Sequence, residues 1–189
     1  MRIISGSNKG KKLVMPNDKT TRPLKDMAKE SIFNILTHAK YINFHIKDSK
    51  VLDLFSGVGS FGLECISRGS KFVFFLENYP PVLELLKVNI SNLKYENKSK
   101  VINTDAFKIN KNFFKDDQKY QIIFCDPPYK EKKIKMLIEN IIEMDILEKN
   151  GIIIIHRKKG DLDSYPNKFK IIDKKNYGLS TFIFGRKSN

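Results

Sequence analysis

The sequence predicts an α/β protein with a doubly wound sheet. The sheet is mostly parallel, ends in a C-terminal antiparallel hairpin, and follows a small N-terminal hairpin-plus-helix extension. Three observations carry this. Short apolar runs alternate with stretches at helical spacing through residues 51–155. A glycine loop follows the first apolar run and opens a helix. Acids end four of the runs, where ligands bind in an open α/β sheet.

At the start of the chain, Arg2, Lys9, Lys11 and Lys12 surround Gly6 and Gly10, with Ile3, Ile4, Leu13 and Val14 on either side. This predicts a basic hairpin. Positioned cations there suit phosphates. A solvated edge hairpin, whose lysines discourage aggregation, is the other reading. Thr20-Thr21-Arg22-Pro23 predicts a turn into a helix over 24–40, because proline suits the first helical turn. Met27, Ile32, Ile35 and Leu36, with Phe33 beside them, form its apolar face, and Asp26, Lys29 and Glu30 its polar one. Residues 41–49 read as a connector.

The alternation then begins. Strands are expected at 51–55, 72–76, 101–102, 122–125 and 152–155. Helices are expected from 61 to near Gly69, over 80–93 and over 134–147. Val82, Leu85, Leu86 and Val88 give the second helix its apolar face; Ile134, Leu137, Ile138, Ile141 and Ile142 serve the third. Runs at 169–172 and 181–184 flank Tyr177-Gly178, which predicts the closing hairpin. Residues 1–40 are thus an extension facing nucleic acid, and 41–189 the main domain.

The 189 residues suffice for one domain with an appendage and a real core. Hydrophobic residues at 41% and charged residues at 30% exclude a disordered chain. Cys65 and Cys125 each lie in an apolar stretch, as reduced buried thiols rather than a disulfide or metal framework, so no metal is expected. No run is long enough to span a bilayer, and the opening residues lack a signal peptide's apolar core and cleavage site. A cytoplasmic monomer without membrane attachment is expected. The net charge of +14 favours a polyanionic partner, nucleic acid ahead of membrane. Lysine-rich drift in adenine- and thymine-rich coding is the bland source of such charge.

Gly57, Gly59 and Gly62 fit the dinucleotide fingerprint. Asp53, four residues before Gly57, argues otherwise. A carboxylate there would repel a pyrophosphate but favour an amine and a sulfonium, which points to S-adenosylmethionine (SAM). A capping Asp in an ordinary strand-to-helix turn is the alternative. Glu77, about twenty residues further on, suits ribose hydroxyls. Asp105 and Ala106, next to Phe107, suit an adenine ring, although Asp105 could equally cap a helix. Phe55 and Asn78 complete the expected cofactor set with Gly57, Gly59 and Asp126.

Asp126-Pro127-Pro128-Tyr129 is the second motif. Two prolines fix φ and remove two N–H groups, so the turn is stiff and its carbonyls are left as acceptors. A carboxylate and a carbonyl can both accept from one –NH2 group, while Tyr129 offers a face to a flat base.

With these motifs the sequence resembles a class I SAM-dependent methyltransferase acting on an amino group. More closely, it resembles the ribosomal RNA small-subunit methyltransferase D family, which makes N2-methylguanosine in small-subunit rRNA. The likeness covers nearly the whole chain. It runs from Met1-Arg2-Ile3-Ile4-Ser5-Gly6 and Lys9-Gly10-Lys11-Lys12-Leu13 through Thr21-Arg22-Pro23 and Lys29-Glu30-Ser31-Ile32-Phe33-Asn34-Ile35-Leu36. It continues through Asp53-Leu54-Phe55-Ser56-Gly57-Val58-Gly59, Ser67-Arg68-Gly69, Asp126-Pro127-Pro128-Tyr129 and Tyr177-Gly178. Three features depart from the pattern: Leu24 stands where Thr is common, Ile155 stands near where the strand often ends in Glu, and the N-terminal hairpin lacks its second Arg.

The resemblance implies direct methyl transfer to a flipped guanine in small-subunit rRNA or the assembling subunit. Asp126 and the Pro127 carbonyl would accept from N2, and Tyr129 would stack on the base. Arg2, Lys9, Lys11, Lys12 and Arg22 would meet the RNA. His38, His45 and His156 are scattered, and no catalytic role is expected of them. The competing readings are a DNA adenine-N6 methyltransferase, a protein-glutamine methyltransferase, a non-catalytic RNA-binding module and an NAD oxidoreductase.

Overall fold

The computed structural model describes residues 1–16, 26–114 and 118–188. Its elements are α1 (Asp26–His38), β1 (Lys50–Leu54), α2 (Ser60–Ser67), β2 (Phe72–Glu77), α3 (Pro80–Asn92), β3 (Ser99–Asn103), β4 (Tyr120–Cys125), α4 (Ile134–Glu143), β5 (Leu147–Lys158), β6 (Phe169–Tyr177) and β7 (Ser180–Lys187). The sheet order is β3-β2-β1-β4-β5-β7-β6. The first five strands are parallel, and β7 runs antiparallel to both β5 and β6. This is the doubly wound sheet with a closing hairpin that the sequence predicts.

Each central strand is apolar on both sides because both faces of the sheet are covered. Val51, Ile122, Phe124, Ile152 and Ile154 point to the layer that contains α1, α2 and α3. Their neighbours Leu52, Leu54, Ile123, Cys125, Ile153 and Ile155 point to the layer that contains α4. The period-two alternation of a strand thus sorts one run of isoleucines into two cores. It also places buried Cys65 and Cys125 on opposite faces, beyond reach of one another. Gly62 lets α2 lie close on the sheet: a Cβ there would come within 2.3 Å of the Phe75 ring.

Several boundaries differ from expectation. The third predicted helix ends at Glu143, not 147. Asp145 turns the chain with φ 53°, and Leu147 already pairs with Tyr120 as the start of β5. The apolar Ile146 and Leu147 mimic one more helical turn. β3, β5, β6 and β7 all exceed their apolar cores. In β6 the extra residues are polar because the strand forms the sheet edge. Met27 is exposed, Lys29 is fully buried, and Val88 is exposed, so both helices sit rotated from the expected faces. Leu24 and the Thr21-Arg22-Pro23 turn lie outside the described residues.

The rotation of α1 has a clear cause. Lys29 Nζ lies 3.5 Å from Glu64 and donates to the Arg2 carbonyl at 2.7 Å. Burial pulls the Lys29 ammonium below its ordinary range, and Glu64 opposes that shift. Glu64 also accepts from the backbone N–H groups of Ile4 (2.7 Å) and Ser5 (2.9 Å) and from Arg68 (2.8 Å). The N-terminal segment is therefore fastened to α2. Arg2 and Lys12 form one isolated antiparallel bridge in it rather than a full ladder. Gly6, at φ 84°, lies so close to α2 that a Cβ would fall 1.8 Å from the Ser67 carbonyl oxygen. Among the described residues, no helix is long and apolar enough to cross a membrane.

Candidate active site

Parallel register brings the ends of β1, β2 and β4 to one edge: Leu54 pairs with both Leu76 and Cys125. The residues that follow open a cleft of about 950 Å³, within the size range of small-molecule sites. The cofactor candidates Asp53, Phe55, Gly57, Glu77 and Asn78 line it. So do the substrate candidates Asp126, Pro127 and Tyr129.

The loop after β1 is built from alternating left-handed residues: Phe55 (φ 59°), Gly57 (φ 56°) and Gly59 (φ 86°). Phe55 adopts this at a cost of about 1–2 kcal/mol, being non-glycine. The Ser56 hydroxyl bonds the carbonyls of Asp53 (2.7 Å) and Leu76 (2.9 Å). Gly57 N–H donates to Glu77 at 2.8 Å, and Asn78 and Tyr79 donate to the other Glu77 oxygen. Gly57 faces open space and can admit a ligand.

Asp53 is buried and accepts from the Gly62 N–H at 3.0 Å. Burial pushes its carboxyl well above the usual range. The Gly62 bond opposes this, and the negative charges of Asp126 and Glu77 add to it. Asp53, Glu77, Asp126 and Asp161 thus share one cleft, whose lining also holds Lys130 and Lys158. The hydroxyl of Ser60, also in the lining, is buried and has no partner among the described residues.

Gly59, Asp105 and Ala106 lie outside the lining. Gly59 is the N-cap residue of α2. Asp105 caps a short 3₁₀ turn through a 2.9 Å bond from Phe107 N–H, the capping role open to it from sequence. Phe107 in turn packs on Phe55, with ring centroids 5.2 Å apart.

The Asp126-Pro127-Pro128-Tyr129 turn is held from β5. His156 Nδ1 lies 2.7 Å from Asp126 Oδ1. Its Nε2 lies 2.8 Å from Ser180 Oγ and 3.2 Å from the Tyr129 hydroxyl. The imidazole stacks on Phe182 at 4.5 Å. Next along the strand, the buried Arg157 donates to the carbonyls of Pro128 (3.3 Å), Tyr129 (3.4 Å) and Glu131 (2.9 Å). Asp163 pairs with that guanidinium at 2.7 Å. The expectation of free carbonyls is therefore corrected: Arg157 and the Glu131 N–H occupy the Pro128 carbonyl. Among the described residues, none donates to the Pro127 carbonyl.

His156 is the functional-site residue that sequence reasoning passed over. The signal was present: it follows an isoleucine run, at the carboxyl end of a parallel strand, as the four acids do. Of the basic candidates, Lys9, Lys11 and Lys12 are exposed, and Arg2 is exposed and bonds Asp26 at 3.2 Å. Arg22 lies outside the described residues. Met1 and Met15 line the cleft, so the N-terminal segment borders its mouth.

This sheet order, with its reversed last hairpin and a cleft over the glycine loop, is the class I methyltransferase architecture. The chain belongs to the family described as Conserved hypothetical protein 95, whose model matches residues 1–186. It is 34% identical to the "Putative rRNA methyltransferase YlbH" of Bacillus subtilis (strain 168), over 95% of each chain. It is 31% identical to the "Ribosomal RNA small subunit methyltransferase D" of Haemophilus influenzae, over 96% of this chain and 91% of that one. Among solved structures, the "Putative methyltransferase yhhF" of Escherichia coli superposes with a TM-score of 0.82 at 25% identity, covering 100% of this chain and 99% of that one.

Proposed function

We propose that the chain transfers a methyl group from SAM to the exocyclic N2 of a guanine in small-subunit ribosomal RNA. One observation carries the reading. The Asp126 carboxylate and the Pro127 carbonyl share a cleft with the Gly57 loop and Glu77, so an amine acceptor and a cofactor cradle adjoin. The relatives named as rRNA methyltransferases support the RNA class.

The lining fits SAM. Asp53, Glu77 and Asp126 put three carboxyl groups around the Gly57 loop, where a ligand with an amine and a sulfonium would find acceptors, and the orphaned Ser60 hydroxyl is a spare polar contact. Asp53, Phe55, the Gly57 loop, Glu77 and Asn78 would hold the cofactor; Gly59, Asp105 and Ala106 would support that wall from outside the lining. When bound, SAM supplies an electrophilic methyl on its sulfonium.

The chain's own residues do the orienting. Asp126 and the Pro127 carbonyl accept the two N2 hydrogens, which turns the nitrogen lone pair out of conjugation with the ring. Tyr129 stacks on the flipped base. Orientation and fixed charge are the main catalytic contributions. Asp126 need not be a strong base, because the nitrogen becomes very acidic on alkylation. Residues 1–40 face the RNA with Arg2, Lys9, Lys11, Lys12 and Arg22, and residues 41–189 carry the chemistry.

The test is transfer of labelled methyl from SAM to small-subunit particles from cells lacking this protein. Labelling is expected with the wild-type chain. Asp126→Ala should bind SAM and fail to transfer. Full activity in that variant overturns the role of Asp126, and tight NAD binding without SAM binding overturns the cofactor.

A further inference from the structure

We infer that His156 is a positioning residue that sets both halves of the substrate-holding turn through a single tautomer; this rests on the amine-transfer reading above. A carboxylate can only accept a hydrogen bond. Asp126 Oδ1 stands 2.7 Å from His156 Nδ1, so the proton belongs on Nδ1. In the neutral ring Nε2 is then an acceptor, and it faces two hydroxyls able to donate to it, Ser180 at 2.8 Å and Tyr129 at 3.2 Å. The carboxylate at Nδ1 and the hydroxyls at Nε2 thus suit one neutral tautomer, with the proton on Nδ1.

The ring itself has little freedom. It is buried at 6% exposure and stacks on Phe182 with an interplanar angle of 16°. Its strand is locked on both sides: His156 pairs with Phe182 of β7, and Arg157 clamps the turn's carbonyls. The imidazole therefore fixes one oxygen of Asp126, a residue of the cleft lining. The same ring anchors the hydroxyl of Tyr129, whose face is proposed to carry the base. Partners that orient metal-ligating side chains are worth about 10- to 100-fold in affinity or activity, and the same scale is taken for this carboxylate.

Two variants separate positioning from packing. His156→Asn keeps an N–H donor near the Nδ1 position. His156→Leu fills the space against Phe182 and donates nothing. Positioning predicts that Leu lowers kcat about 10- to 100-fold with the KM for SAM unchanged, and that Asn recovers most of the loss. A packing role predicts the reverse order, since a leucine suits a buried ring site better than an asparagine. Wild-type activity in His156→Leu, or an Asn variant no better than Leu, overturns the inference.

An activity-free measurement guards against misfolding and against failure of the functional reading. Two-bond 15N–1H correlation on the wild-type chain at pH 8 should place a proton on Nδ1 of His156. A bare Nδ1 overturns the inference whatever the variants do. If the wild-type chain methylates no small-subunit RNA, the function falls, and this spectrum still decides the tautomer.

Discussion

Two loops meet at the carboxyl edge of the sheet, and they are held by different means. The loop after β1 is held through its own backbone and one short side chain: Ser56 bonds the Asp53 and Leu76 carbonyls, and the Gly57 N–H bonds Glu77 of β2. The loop after β4 is held by long side chains from β5, with Asp126 and His156 thirty positions apart. The first is a matter of backbone conformation. The second is a matter of buried polar side chains. Substitutions should therefore damage them in different ways.

The largest effect is expected at Arg157. Its removal leaves the Tyr129 and Glu131 carbonyls without this donor, the Pro128 carbonyl with the Glu131 N–H alone, and the Asp163 carboxylate without its partner. Arg157→Ala should cost about 3–5 kcal/mol, measured by urea unfolding. A loss under about 1 kcal/mol would mean that the turn stands on its prolines alone. Gly62→Ala is the matching break in the first region. It drives a Cβ into Phe75 and should cost about 1–3 kcal/mol, reduced by the helix preference of alanine.

Asp53, at the root of the first loop, also predicts pH behaviour opposite to that of a surface acid. The folded pKa of Asp53 is raised well above 3.8 by burial, so the folded state holds a proton that the unfolded chain releases. Stability from this group is present at low pH and declines as pH rises from about 3.8 through the folded pKa, by at most about 1.4 kcal/mol per pH unit. Asp53→Asn should flatten that decline in thermal melts. Asp145 is the contrary case: bonds from Lys119 and Lys187 pull its carboxyl down to about 2. Its contribution is present above the ordinary value and disappears as pH falls through about 2. Because the side chain is exposed, it is worth only a few tenths of a kcal/mol, and Asp145→Asn should move the melting temperature by about a degree or less.

The same contrast explains what could be read from sequence. The glycine loop and the acids at strand ends are local features, so Asp53, Gly57, Glu77 and Asp126 declare themselves by position. His156 obeys the same positional rule and was legible too. Arg157 was not: its partners are mostly backbone carbonyls of a distant turn, which carry no side-chain signature. Lys29 and Met27 exchanged their expected faces for a similar reason. The ion pair that buries Lys29 comes from Glu64 on another helix, outside any periodic pattern within α1. The polar half of β6 was hidden because an edge strand need not be apolar on both sides.

The central claim is that the turn after β4 presents a carboxylate and a carbonyl to one amine of a flat base beside the cofactor cradle. Nucleoside mass spectrometry of small-subunit rRNA, methylated by this chain from SAM, tests it most directly. The account predicts N2-methylguanosine, absent from the Asp126→Ala reaction. N6-methyladenosine as the product, or N2-methylguanosine formed at full yield by Asp126→Ala, would contradict it.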